Sequence, residues 1–174
     1  MTSDILKLNY YQLFELVPTY VVNASVLQQK MRSLQQLYHP DNHVEDENMN
    51  TMAIAISSHI NTAYNTLLDP LARAIYLLGI YGINVDLVHD TKFSHEFLFQ
   101  QIELREAIAE AKDSQDIDKL ESIELELKNS FHQLEVQITY KFTQEDYSII
   151  IEDIKQLSFY NKLLKLINDI LCEI

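Results

Sequence analysis

Glycine and proline are scarce in this sequence. Only two glycines and three prolines occur in 174 residues, whereas a sheet protein needs many turns built from such residues. Their scarcity indicates long helices joined by few connections. Because hydrophobic residues make up 47% of the chain, it can bury a substantial core. The sequence therefore predicts an all-α protein.

Cysteine and clusters of basic residues are also lacking. The single cysteine, Cys172, excludes a disulfide within the chain and a thiolate cage built by this chain alone. The formal net charge is −13, and no lysine–arginine cluster is available for nucleic acid or an anionic membrane. No apolar run could span a bilayer, and the N-terminus has no signal-peptide pattern. We expect a cytoplasmic protein with neither a nucleic-acid nor a membrane partner.

Hydrophobic spacing and cap residues predict an N-terminal domain of short and medium helices, a linker and a helical bundle. Their ranges are 1–80, 81–93 and 94–174. Three long helices joined by two short connections make an antiparallel three-helix bundle. The last helix is expected to begin at a Thr143-x-x-Asp146 cap and to bury Ile150, Ile154, Leu157, Leu164, Ile167 and Leu171.

The tripeptide His39-Pro40-Asp41 lies in the predicted loop between two antiparallel helices. Alone it predicts only a turn. It is preceded by a short aromatic helix, Tyr10-Tyr-Gln-Leu-Phe, and followed by Ile60-Asn-x-Ala-Tyr-x-x-Leu-x-Asp-Pro-x-x-Arg73. This layout, over residues 9–76, resembles the J-domain, the module that stimulates ATP hydrolysis by DnaK-type chaperones.

The resemblance implies a chaperone-binding site. Asp41 would offer a carboxylate that an arginine of the ATPase binds through charge-assisted hydrogen bonds, while Pro40 keeps the loop rigid. His39 would shape the loop. J-domains usually carry a strongly basic second helix, but this one offers only Lys30 and Arg32, which implies weaker steering toward an acidic chaperone surface.

The helix predicted from Ser94 to Lys112 has two apolar faces. At about 100° per residue, one face carries Phe97, Leu104, Ile108 and Ala111, which we expect to be core. A helix in a three-helix bundle buries only one broad face, so the other must pack on the N-terminal domain or bind a partner. That second face carries Leu98, Phe99 and Ile102, beside Glu103 and Glu106.

This segment, Phe97-Leu-Phe-Gln-Gln-Ile-Glu-Leu-Arg-Glu106, resembles the helix by which HscB-type co-chaperones bind the iron–sulfur scaffold protein. Leu157-Ser-Phe159-Tyr-Asn-Lys-Leu163 is similar to a second strip of that surface. The resemblance implies an L-shaped adaptor for an IscU-type scaffold and a DnaK/HscA-type ATPase, with no cofactor. Lacking the zinc-binding cysteine pairs of eukaryotic members, the chain is expected to be bacterial-type. The implied scaffold contacts are Leu98, Phe99, Ile102, Glu103, Glu106 and Phe159.

Two other functions stay open. A J-domain protein serving a different client would share the whole N-terminal pattern. A histidine phosphotransfer bundle would need a solvent-facing histidine with small neighbours, which His132 between Phe131 and Leu134 does not offer, and it leaves His39-Pro40-Asp41 unexplained. No nucleophile–base pair, phosphate loop or metal-ligand cluster is present, so we expect no catalytic residue and no metal.

Overall fold

A computed structural model describes residues 2–39, 47–87, 93–145 and 147–173 of the protein. These residues form eight helices and no strand, which confirms the all-α prediction. The chain divides into two compact units, Met1–Tyr81 and Gly82–Ile174. The helices are α1 Thr2–Ile5, α2 Tyr10–Leu13, α3 Ala24–Leu37, α4 Glu47–Leu68, α5 Pro70–Ile80, α6 His95–Asp113, α7 Ile117–Thr143 and α8 Tyr147–Glu173.

In the first unit, α4 is the central helix, against which α1, α2, α3 and α5 pack. Side-chain caps define where the helices begin. Asn9 and Gln12 form a reciprocal capping box at α2, and the Asn23 side chain accepts hydrogen bonds from the N–H groups of Ser25 and Val26 in the first turn of α3. At α5, the Asp69 carboxylate accepts from the Ala72 N–H at 2.6 Å, and Pro70 occupies the first turn, where its missing N–H costs nothing.

A buried arginine connects the helices of this unit. Arg73 is only 9% exposed, and its guanidinium donates to the carbonyl oxygens of Leu67 at 2.7 Å and Leu68 at 3.2 Å. The same group lies 4.9 Å from the centre of the Tyr20 ring. These contacts join α5 to the end of α4 and to the segment before α3. A buried cation makes such contacts because its donors need partners away from water.

The second unit is a three-helix bundle in which α7 packs along α8, and α6 packs against both. Ser94 caps α6 by accepting from the Phe97 N–H at 3.2 Å, and Asp116 caps α7 by accepting from the Lys119 N–H at 3.0 Å. The core is aliphatic along α7 and partly aromatic where α6 meets α8. Its fully covered members include Ile108, Leu120, Ile138, Ile150, Ile154, Leu157 and Ile167.

The structure corrects several sequence predictions about helix ends. Helix α1 was not predicted. The short aromatic helix α2 ends at Leu13, one residue before Phe14, because Glu15 has a φ of 48°, outside the helical region. Gly82, with a φ of 79°, follows α5 as a left-handed terminator. Thr143 is the last residue of α7 and not the cap of α8.

The buried face of α8 also differs from the prediction. Its C-terminal half buries Leu163 and Ile170, at 4% and 3% exposure, whereas Leu164 and Leu171 are only half-buried. The cause is α6, which lies beside this part of α8 from the Phe97–Tyr160 contact to the Lys112–Glu173 ion pair. The core face therefore rotates toward α6, and a repeat read along α8 alone does not contain that information.

The buried face of α8 can be tested with two neighbouring substitutions. Leu163→Ala should lower the free energy of unfolding by about 2–5 kcal/mol, because it leaves a cavity in the core. Leu164→Ala removes the same atoms from a half-buried position and should cost less than half as much. Urea denaturation of both variants measures the difference. Equal losses of unfolding free energy in the two variants, or a larger loss for Leu164→Ala, would contradict the observed buried face of α8.

Candidate functional site

Helix α6 exposes a contiguous apolar surface. Leu98, Phe99 and Ile102 are 40%, 69% and 54% exposed, and helical spacing places them on one side of the helix. The side chains of Glu103 and Glu106 are exposed beside them. A cluster of large apolar side chains in water, edged by carboxylates, has the character of a binding surface. We call Leu98, Phe99 and Ile102 the α6 outer face.

The opposite side of α6 holds this surface in place. Phe97 is 4% exposed, and its ring centre lies 5.5 Å from that of Phe159 and 6.0 Å from that of Tyr160, both in edge-to-face geometry. Ile108 and Ala111 are also buried on this side. The predicted core face is therefore confirmed for Phe97, Ile108 and Ala111, whereas Leu104, also expected there, is only half-buried. Rotation of α6 would expose Phe97, so the outer face is presented rigidly.

Phe159 is placed differently from the other five predicted scaffold contacts. It is 6% exposed, and the Arg105 guanidinium lies 5.6 Å from its ring centre. The ring is therefore part of the α6–α8 core, beneath a cation. Direct contact between Phe159 and a partner stays a prediction, whereas its support of α6 is visible in the packing. The sequence pattern did not single out Arg105, although it lies within the segment that carries the resemblance.

In the first unit, the structure brings together Arg32 and His39. Both line one shallow concavity with Gln35 and Gln36. The end of α3 is held there by the Ser57 hydroxyl, which donates to the Tyr38 carbonyl at 3.2 Å. His39 directly precedes Pro40 and Asp41 in the sequence, and these two residues lie outside the described part of the chain.

Lys30 does not join this group. Its ammonium lies 3.0 Å from the Glu15 carboxylate, and it lines a separate groove with Leu13, Phe14, Glu15, Ser33 and Leu34. Lys30 and Arg32 are two residues apart, so the helix turns them in different directions. The predicted chaperone-binding cations are therefore placed on two different parts of the first unit.

His59 and His132 differ in environment. The His59 ring packs edge-on against Tyr10, with 5.6 Å between ring centres, as a structural histidine does. His132 faces solvent with 75% of its side chain exposed, 3.6 Å from the Glu135 carboxylate, which the sequence pattern did not predict. Within the described residues, no group of three or more potential metal ligands occurs, and no helix is long and apolar enough to cross a membrane.

Comparison with known proteins identifies the family of this chain. Residues 93–168 match the family model described as the HscB C-terminal oligomerisation domain. A co-chaperone HscB homologue of Neisseria meningitidis is 34% identical over 155 residues, which cover 88% of this chain and 93% of that protein. The chain belongs to the HscB family of co-chaperones.

Solved HscB structures agree with this family membership. HscB from Vibrio cholerae superposes with a TM-score of 0.85 at 29% identity, covering 95% of this chain and 99% of that one. Human HscB superposes with a TM-score of 0.87 at 26% identity, covering 92% and 81%. The predicted combination of an N-terminal J-domain with a C-terminal helical bundle is thereby confirmed for this HscB-family chain.

The different positions of Phe99 and Phe159 lead to a stability prediction. Phe159→Ala should lower the free energy of unfolding by about 3–5 kcal/mol, because it removes a ring from the core. Phe99→Ala should change it by less than about 0.5 kcal/mol, because that ring is exposed. Urea denaturation of the full chain provides both values. A small loss for Phe159→Ala would mean that its ring is not part of the core.

Proposed function

We propose that this chain binds the iron–sulfur cluster scaffold protein, delivers it to a DnaK/HscA-type chaperone and stimulates the ATPase of that chaperone. Cluster transfer from the scaffold would be promoted as a result. The chain would act as an adaptor and activator without catalysis of its own. Family membership supports the co-chaperone role, and the α6 outer face supports the binding of a client by the second unit.

The observation that carries the client-binding half of the proposal is the exposure of three large apolar side chains on one rigid helix. Leu98, Phe99 and Ile102 offer apolar anchors at the centre of a surface, where binding energy is usually concentrated. Glu103 and Glu106 would meet basic groups at its edge. The complementary partner therefore has an apolar patch with a basic margin, and we propose the scaffold protein in this role.

The chaperone-binding half of the proposal depends on the first unit. Asp41 would accept charge-assisted hydrogen bonds from an arginine of the ATPase. Arg32 and His39 would supply one further contact with the chaperone and Lys30 another. Stimulation requires that the J-domain bind the hydrolysis-competent state more tightly than the resting state. Residues 1–80 would carry this activity and residues 94–174 the client, joined by the linker 81–93.

The alternatives are separated by particular observations. A J-domain protein with another client would share every feature of the first unit, so only the α6 outer face distinguishes it. The solvent exposure of His132 is one requirement of a phosphotransfer bundle, but that function uses neither the J-domain nor the α6 outer face. Family membership as a co-chaperone favours the adaptor function.

The triple variant L98A/F99A/I102A should bind the scaffold at least tenfold more weakly, a loss of about 1.4 kcal/mol or more. Isothermal titration of the full chain with scaffold protein measures this loss. The control L125A/V136A/Y140A truncates three apolar side chains of α7 that are 57–65% exposed, and it should bind normally. Normal scaffold binding by a folded α6 variant would place the client site elsewhere, and unfolding would place these residues in the core.

Asp41→Asn should abolish ATPase stimulation and leave scaffold binding intact. The substitution keeps the shape of the side chain but removes the charge that the chaperone arginine would bind. Single-turnover ATP hydrolysis by the cognate chaperone is the measurement. The control Asp169→Asn makes the same change at an exposed position of α8 and should stimulate like the wild type. Full stimulation by Asp41→Asn would remove the proposed mechanism of the J-domain.

A further inference from the structure

Phe99 differs from the other phenylalanines of this protein in its exposure to solvent. The chain has seven phenylalanines, all of them within the described residues, and the other six are buried or half-buried. Phe99 is 69% exposed, more than Leu98 at 40% or Ile102 at 54%. An exposed ring contributes little to the core, and aromatic side chains are enriched where proteins bind partners. The position of Phe99 is therefore best explained by a contact outside the chain.

Helical spacing places Phe99 at the boundary between the apolar and the acidic parts of α6. Residues three and four positions away are its neighbours on the helix surface. At about 100° per residue, His95 and Ile102 lie on one side of Phe99, and Glu96 and Glu103 lie on the other. The ring therefore adjoins the rest of the α6 outer face through Ile102 and an acidic border through the two glutamates.

The acidic border is only partly neutralised by the chain itself. A sector of about 80° around the helix axis holds one aromatic residue and all four glutamates of α6. Their order around the helix is Glu106, Phe99, Glu110, Glu103 and Glu96. Glu110 pairs with Lys119 at 2.7 Å, whereas the other three glutamates form no ion pair with a described residue. The negative charge beside the ring is thus available to a partner.

An aromatic ring beside unpaired carboxylates is suited to a cation. The face of the ring attracts a guanidinium or ammonium group that lies within about 6 Å of its centre. Such contacts occur inside this chain, with Arg73 4.9 Å from the Tyr20 ring centre and Arg105 5.6 Å from that of Phe159. Among the described residues, no cation lies over Phe99. Arginine fits there better than lysine, because its planar group stacks on a ring while its edge donates to a carboxylate.

We propose that the Phe99 ring, with Glu96 and Glu103 beside it, binds an arginine side chain of the protein that docks on the α6 outer face. This inference rests on the proposed function, because it specifies how that client is recognised. Leu98 and Ile102 would contact the apolar patch of the client, while the carboxylates accept hydrogen bonds from the stacked guanidinium. Phe99 would then determine specificity, since a client without this arginine would leave the carboxylates covered and unpaired.

Substitution of Phe99 separates this proposal from an ordinary apolar contact. Phe99→Leu removes the aromatic face but keeps an apolar side chain, so it should weaken scaffold binding about fivefold. Phe99→Trp retains an aromatic face, the strongest one for a cation, and should bind at least as tightly as the wild type. The control Ile102→Leu changes the shape of the adjacent apolar side chain and should stay within about twofold. Isothermal titration of each full-length variant with scaffold protein gives the dissociation constants.

A double-mutant cycle tests whether the ring and a carboxylate bind the same cation. Phe99→Leu should weaken scaffold binding less in a Glu103→Gln background than in the wild type, because the two side chains share one partner. The control Glu126→Gln removes the charge of an exposed glutamate of α7, and it should leave the effect of Phe99→Leu unchanged. Equal effects of Phe99→Leu in all three backgrounds would contradict a shared cation.

Substitutions in the scaffold protein identify the arginine. Its arginines are replaced one at a time by leucine, and one of these variants should bind the wild-type chain about fivefold more weakly. Against that scaffold variant, Phe99→Leu and the wild type should bind with the same affinity, because the cation that distinguishes them is absent.

Two results would overturn the proposal and leave the proposed function standing. In the first, Phe99→Leu binds the scaffold as tightly as the wild type, while L98A/F99A/I102A does not, so that Phe99 is an ordinary apolar contact. In the second, Phe99→Leu weakens binding to the same extent against every scaffold arginine variant, so that the partner of the ring is not an arginine. Absence of scaffold binding by the wild-type chain would instead refute the proposed function itself.

Discussion

The packing of Phe97 against Phe159 and Tyr160 is the interaction on which the second unit depends. Of the two phenylalanines of α6, Phe97 lies in the core and Phe99 is exposed, and the burial of Phe97 determines the rotation of that helix. Once Phe97 points inward, helical geometry directs Leu98, Phe99 and Ile102 outward and leaves Arg105 above Phe159. One buried ring thus positions the apolar surface, its acidic margin and the cation at the other margin.

The two faces of α6 could be predicted from the sequence, whereas the register of α8 could not. On α6, apolar residues at helical spacing lie in two separate groups, and burial of either group leaves the other exposed. On α8, apolar residues cover most of the circumference, so the buried set depends on which helices lie alongside. The resemblance implied that Phe159 lies at the client surface, but its side chain is in the core at 6% exposure. The recess between α6 and α8 is lined by residues of both helices and cannot be found by inspection of either one.

The J-domain was predictable because its signals are local. His39-Pro40-Asp41 is contiguous, and the caps Asn9, Asn23 and Asp69 act within three residues of their own position. The resemblance assigned both cations of α3, Lys30 and Arg32, to the chaperone-binding site. The structure instead places Lys30 beside Glu15 and Arg32 beside His39, because contact with the segment after α2 decides the direction of the Lys30 side chain.

The charge of the first unit bears on how the two proposed sites would work together. Within α3 the cations are Lys30 and Arg32, and Glu15, 3.0 Å from Lys30, cancels much of its long-range field. Electrostatic attraction to an acidic chaperone surface is then weak at physiological ionic strength. A client held by the second unit and also bound by the chaperone would compensate, because the J-domain would meet the ATPase at a high effective concentration. In the proposed function, client binding therefore strengthens a chaperone contact that the J-domain alone would make only weakly.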